Sequence, residues 1–257
     1  MNRSFLIAVF SVAVSIPSIA QESKTHPEPE RMTPAMTEFW DPQPAVVTPG
    51  TYGSAPSDAI VLFDGSDLSK WTASDGSEAK WNVHDGVVTV VKGGAGDIMT
   101  REVFGSFQLH LEWQTPEGIE GESQSRGNSG VYLQGKYEIQ ILDSYENETY
   151  ANGMVGSVYK QAAPLVNPMR KPGDWNSYDI IYTAPVFKED GTYLYEPRVT
   201  VLMNGVLVQN NTSIRGTTEY IGHPRVIAHG DGPVILQSHG DPSAPISFRN
   251  IWIRRLL

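Results

Sequence analysis

Three polar side chains in one short stretch have the types and spacing for chemistry: Glu138, Gln140 and Asp143 in YEIQILDS, with Asn128 and Tyr132 just ahead in RGNSGVYL. On a strand, positions i and i+2 face the same way, so Glu138 and Gln140 share a face, and a bulge would bring Asp143 round to join them. Two carboxyl groups on one face can divide the work of proton transfer, one giving and one taking. Gln237 and His239 in PVILQSHGD repeat the i, i+2 spacing, and histidine is the side chain best matched to moving protons near neutral pH. Tyr159-Lys160 and Trp175-Asn176 lie on or beside a long loop, where an aromatic ring can cover a ligand. Arg126 ends a glycine-rich loop beside the same front.

The alternation around these residues predicts the frame that holds them. Residues 129–134 and 137–142 flank a turn at Gly135 and read as a β-hairpin. Val131, Leu133, Tyr137, Ile139 and Ile141 want one buried face. A two-residue turn would set Leu133 opposite Glu138 and mix the faces. A three-residue turn sets Tyr132 opposite Glu138, Gly130 opposite Gln140 and Val131 opposite Ile139, so the apolar pattern selects it. Asn128, Tyr132, Glu138 and Gln140 then form a polar front with Asp143 at its end. In residues 233–239, Val234 and Leu236 take one face and Gln237 and His239 the other. If both segments lie in one sheet, Gln237 and His239 approach Glu138 and Gln140.

The rest of the chain supplies short strands. Residues 59–63, 98–101, 107–115, 178–183, 233–239 and 247–254 read as strands. Residues 81–91 and 198–209 read as hairpins around Asp85-Gly86 and Asn204-Gly205, pairs suited to the positive φ angles of type I′ turns. Residues 144–175 form a long aperiodic loop, of the kind that often carries function. No amphipathic helix and no internal repeat stand out. About ten short strands separated by turn signals predict an all-β fold, an antiparallel sandwich or jelly roll.

Composition narrows the class. The 257 residues carry a formal charge of −10 and no cysteine. Without a basic patch, neither nucleic acid nor an anionic membrane surface is an expected partner. Residues 1–20, with Arg3, an apolar run and Ser18-Ile19-Ala20, read as a signal peptide, which predicts a periplasmic or secreted protein. No later run is long and apolar enough to span a bilayer. Residues 21–57, with seven prolines, read as a tether, and residues 58–257 as one β-domain stabilised by its core. Phosphate-binding, metalloprotease and nucleophile-elbow motifs are absent, so the sequence requires no cofactor; a divalent cation on Asp and carbonyl oxygens has room. Oligomeric state stays open.

Each candidate also has a plainer role. Glu138 can be a solvated strand residue, Asp143 a turn cap, and His239 a partner of the Gly240-Asp241-Pro242 turn. Lys160 can be a surface lysine, and His84, His110, His223 and His229 ordinary surface or loop histidines. Arg249 shares a face with Ile251 and Ile253, and a buried arginine paired to a carboxylate explains it as well as ligand binding does.

The Glu138, Gln140, Asp143 spacing resembles the E-x-D-x-x-E strand of laminarinase-type retaining glycosidases, with the middle Asp replaced by Gln140 and the last Glu by Asp143. A broader resemblance runs from about Ile60 to Leu257. The words LFDGSDLSKW, WNVHDGVV, RGNSGVYL, YEIQILDS, GSVYK, GDWNSYDI, VLMNGVLV, PVILQSHGD and ISFRNIWIRRL occur in the order seen in the 3-keto-disaccharide hydrolase domain family. That resemblance implies a concanavalin A-like β-sandwich acting on small oxidised saccharides. A ketone at C3 acidifies the C2 hydrogen, so a base can start elimination of the C1 substituent, and water then adds back. On this reading His239 or Glu138 is the base, and Arg126 and Gln140 steady the enolate. Asp143 or Tyr159 serves the leaving oxygen, Trp175 stacks on the sugar, and Asn128, Tyr132, Lys160 and Gln237 bind substrate. A retaining glycosidase and a non-catalytic lectin-like module are the alternatives.

Overall fold

The computed structural model describes residues 31–51 and 53–256. The expected signal peptide and the start of the tether lie outside the described residues. The chain divides after Ala45. In the first unit the described residues hold one 3-10 turn, Pro34–Thr37. The second unit starts at Val46, ahead of the Asp58 boundary expected from proline content. The reason is hydrogen bonding that composition does not reveal. Thr48 N–H donates to Ser57 Oγ and Ser57 N–H to the Thr48 carbonyl, both at 3.0 Å. The Gly53 carbonyl accepts from the Trp252 indole at 2.8 Å and the Asn250 amide at 3.1 Å.

The strands are β1 (Ile60–Phe63), β2 (Trp71–Ala73), β3 (Asn82–His84), β4 (Val87–Thr89), β5 (Ile98–Thr100), β6 (Phe107–Gln114), β7 (Ser129–Leu133) and β8 (Tyr137–Ile141). They continue with β9 (Asn176–Thr183), β10 (Val186–Phe187), β11 (Tyr193–Tyr195), β12 (Arg198–Met203), β13 (Val206–Ser213), β14 (Ile235–Leu236) and β15 (Ser247–Arg255). All of the pairings are antiparallel. The larger sheet runs β13-β12-β9-β6-β15-β4-β3, with β1 also on β15; the smaller face of the sandwich runs β2-β5-β14-β7-β8, and β10 and β11 pair as a separate ribbon. The expected all-β sandwich is what forms. The Asp85-Gly86 and Asn204-Gly205 turns have positive φ at both residues, as type I′ geometry needs.

Alternation builds the core. Leu109, Leu111 and Trp113 of β6 and Tyr178, Ile180 and Tyr182 of β9 are fully buried, and so are Val131, Leu133, Ile139 and Ile141 of the hairpin. Two phenols of β9 cross this core: Tyr178 donates to the Gln140 carbonyl at 2.6 Å and Tyr182 to the Gln134 amide oxygen at 2.7 Å. Buried tyrosines need such partners, and here the partners lie on the hairpin and its turn, which ties the site to the larger sheet. The β15 alternation breaks where its register with β6 shifts between Arg249 and Trp252. Ile251 and Ile253 enter the core, while Arg249 turns outward to Glu112 at 2.6 Å. A carboxylate partner is present as expected, but the pair is not buried.

Candidate active site

The hairpin has the register predicted from its apolar residues. Tyr132 pairs with Glu138, Gly130 with Gln140 and Val131 with Ile139, and the turn is three residues with Gln134 and Gly135 at positive φ. Since Tyr137, Ile139 and Ile141 enter the core, Glu138 and Gln140 face away from it. On the other flank of β7, β14 pairs Ile235 with Tyr132 and continues through Gln237, whose N–H donates to the Gly130 carbonyl at 3.0 Å. A cavity of about 280 Å³ opens over this face, lined by Asn128, Tyr132, Glu138, Gln140, Gln237 and His239.

β8 is the edge of its sheet, and two loops bond to that edge to make the far wall. Gln140 and Gly156 contribute N–H donors to Ser157 and Gln140 carbonyls at 3.0 and 2.9 Å, and Tyr159 N–H donates to the Glu138 carbonyl at 3.1 Å. From the second loop, Thr218 N–H donates to the Lys136 carbonyl at 2.9 Å, and Thr218 Oγ1 accepts from Glu138 N–H at 2.9 Å. Tyr159, Thr218 and Tyr220 thereby line the cleft beyond Glu138.

Glu138 is the electrostatic centre. It is 4% exposed. The Tyr132 hydroxyl donates to its Oε2 at 3.0 Å and accepts from the Gln237 amide at 3.3 Å. With its amide nitrogen facing Glu138, Gln140 donates to Oε1 at 3.1 Å and to the Ser129 carbonyl at 3.0 Å. Burial pushes the Glu138 pKa up to about 8; the Tyr132 bond opposes this and the Asp97 charge adds to it. The carboxyl therefore holds its proton at neutral pH. Gly130 makes room for it, because a Cβ there would lie 2.4 Å from Glu138 Oε1.

His239 is backed by a carboxylate. Its Nδ1 lies 3.1 Å from Asp241 Oδ2 and 3.2 Å from the Asp241 backbone nitrogen, which leaves Nε2 for the cleft. Although burial works against it, Asp241 is held below the usual carboxylate range by bonds from His239, Ser243 and Lys92. Lys92 Nζ reaches Asp241 Oδ2 at 2.9 Å. Asp97 fixes the backbone between Gln237 and His239 by accepting Ser238 N–H at 2.8 Å, and burial raises its pKa.

Four predicted site residues do not line the cleft. The β7–β8 ladder has no bulge, so Asp143, five positions after Glu138, turns away from the front. It is fully buried, accepts Tyr145 N–H at 3.1 Å, and lies 3.0 Å from Arg126 Nε. Arg126 is thus taken up by Asp143 and also donates to the Tyr145 carbonyl. Trp175 sits under the Arg249 guanidinium, 4.0 Å from ring centre to charge, beside Glu112 and His110 on the outside of the larger sheet. Lys160 stands behind the rim, donating to the Tyr220 carbonyl with its ammonium 4.5 Å from that ring's centre.

Other residues escaped the sequence reading. His110 is no surface histidine: it is 4% exposed, stacked on Trp252 and bonded to Asp179 at 2.7 Å. Asp241 did not escape it: the turn expected as the partner of His239 supplies that partner through the Asp241 side chain and backbone. Asp97, Lys92, Thr218 and Tyr220 come from loops whose sequence carries no period to place them. Among the described residues no group of three or more His, Asp and Glu converges to hold a metal ion, and no helix is long and apolar enough to cross a membrane.

A β-sandwich with a buried acid and a carboxylate-backed histidine over one sheet has the build of a carbohydrate-active enzyme. Residues 58–254 match the 3-keto-alpha-glucoside-1,2-lyase-like domain, and the chain belongs to that family. A crystal structure from Parabacteroides distasonis, described provisionally as a glycosyl hydrolase, is 64% identical, covers 88% of this chain and 97% of its own, and superposes with a TM-score of 0.85. A 3-keto-disaccharide hydrolase of Bacteroides thetaiotaomicron is 24% identical over 240 residues, 77% of this chain and 78% of that protein. A second Parabacteroides distasonis structure, 24% identical with a TM-score of 0.55, covers 78% of this chain and 94% of its own and shares the fold. The protein is a carbohydrate-processing enzyme.

Proposed function

We propose that the protein cleaves glycosides oxidised at C3, by elimination across C1 and C2 followed by hydration. The observation that carries this reading is the pairing in one cleft of a protonated, buried Glu138 with His239, whose Nδ1 is held by Asp241. His239 Nε2 takes the C2 proton, and the electron pair forms the C3 enolate, steadied by the Asn128 and Gln237 amides. The enolate collapses to a C1–C2 double bond as the C1–oxygen bond breaks. Glu138 gives its proton to the departing oxygen, with the Tyr159 hydroxyl beside it. In the return half, the Glu138 carboxylate takes a proton from the water that attacks C1, and protonated His239 returns a proton to C2. This gives net hydrolysis.

A retaining mechanism needs a second carboxyl facing the sugar about 5 Å from the first. Asp143 does not supply it, since it is buried against Arg126. The signal-like residues 1–20 support action after export. The test is proton NMR of the mature protein with a 3-keto-glucoside in deuterium oxide. Free 3-keto-glucose carrying deuterium at C2 is expected, and His239→Asn should slow its release by about 10²–10⁴-fold. Release with full protium at C2 and no loss in His239→Asn would overturn the proposal.

A further inference from the structure

The proposed chemistry gives the cleft a direction, and that direction points at a part of the wall with no role so far. Across the sheet the order is β14, β7, β8, so His239 stands on one side and Glu138 on the other. The acid must lie on the side of the departing oxygen. Beyond Glu138 the cleft is bounded by Tyr159 and Tyr220. Tyr220 is 75% exposed, large and aromatic, yet not free to wander. Two residues earlier, Thr218 is bonded to Lys136 and Glu138 at the β8 edge, and Lys160 clasps the Tyr220 carbonyl with its ammonium against the ring. Lys160 has positive φ (56°), a conformation disfavoured in a residue with a Cβ, and its N–H is fixed by the Asn152 carbonyl at 2.7 Å. An exposed ring held in place at a cleft mouth is built to be covered by something flat.

We infer that Tyr220, positioned by Lys160, is the leaving-group platform of this cleft, and that the enzyme favours substrates whose departing alcohol carries a ring over those with a small alkyl group. This rests on the elimination reading above for its direction. The cavity, about 280 Å³, is small for a ligand pocket, so it takes the oxidised sugar and leaves the aglycone at the mouth, against Tyr220.

The test compares phenyl and methyl 3-keto-glucosides. The ratio of their kcat/KM values should fall about tenfold in Tyr220→Ala and return in Tyr220→Phe, which keeps the ring. An unchanged ratio, or a loss in Tyr220→Phe equal to that in Tyr220→Ala, overturns the inference. Calorimetric binding of unoxidised phenyl and methyl glucosides asks the same question without turnover. If 3-keto substrates are not cleaved at all, the chemical reading fails, while a phenyl preference that disappears in Tyr220→Ala still sustains the platform; equal binding of the two glucosides by the wild type overturns it.

Discussion

Glu138 keeps its proton because it has exchanged water for the Tyr132 hydroxyl and the neutral Gln140 amide, with no cation bonded to it among the described residues. A carboxyl whose pKa rises on folding, here from 4.5 to about 8, costs stability as pH climbs through that window, since the unfolded chain ionises first. Glu138→Gln lacks this penalty. Relative to wild type it should gain roughly a few kcal/mol between pH 5 and pH 9 in urea unfolding, and parallel pH curves would contradict the assignment. The same group sets the activity profile: kcat/KM should drop above about pH 8, where the acid is lost, and residual turnover in Glu138→Gln should lack that limb. Glu138 and His239 stand out as candidates by residue type and spacing alone, and the structure places both at one cleft. The protonation state of Glu138 is not legible in sequence, because it depends on burial that only the assembled walls create.

At the scale of the hairpin, register decides everything that follows. Side chains alternate, so a slip of one residue would have pointed Glu138 into the core and Ile139 at the substrate. The apolar pattern is enough to specify that register, whereas Asp143 would need a bulge to come forward and the ladder has none. Gly130 is the hairpin's other specification. In Gly130→Ala the new methyl collides with the end of the Glu138 side chain and not with backbone, so the carboxyl moves and the strand stays. Turnover should fall at least tenfold, while the melting temperature changes by only a few degrees. Unfolding at room temperature would show instead that Gly130 is needed by the sheet.

For the whole molecule, the sequence showed strands, turns and the general sandwich, because these follow from local periods and Asp-Gly or Asn-Gly pairs. It did not show that residues ahead of Asp58 bond to the β-domain. Residues 46–57 look like linker by composition, yet Gly53 satisfies the Trp252 indole and the Asn250 amide. A chain starting at Val46 should melt like the mature protein. One starting at Asp58 should lose about 1 kcal/mol for each hydrogen bond the strap makes, those from Trp252 and Asn250 to Gly53 among them, read by calorimetry. If both melt alike, the strap is ornamental. The loops on β8 have a further consequence. The backbone groups that hold Tyr159 and Thr218 at the cleft are those an unguarded edge strand would offer to another chain. If the rim reads the departing group as proposed, substrate preference and protection of the sheet edge rest on the same residues. Relatives can diversify by exchanging side chains along this rim, but grafting a foreign loop there would trade solubility for a new specificity.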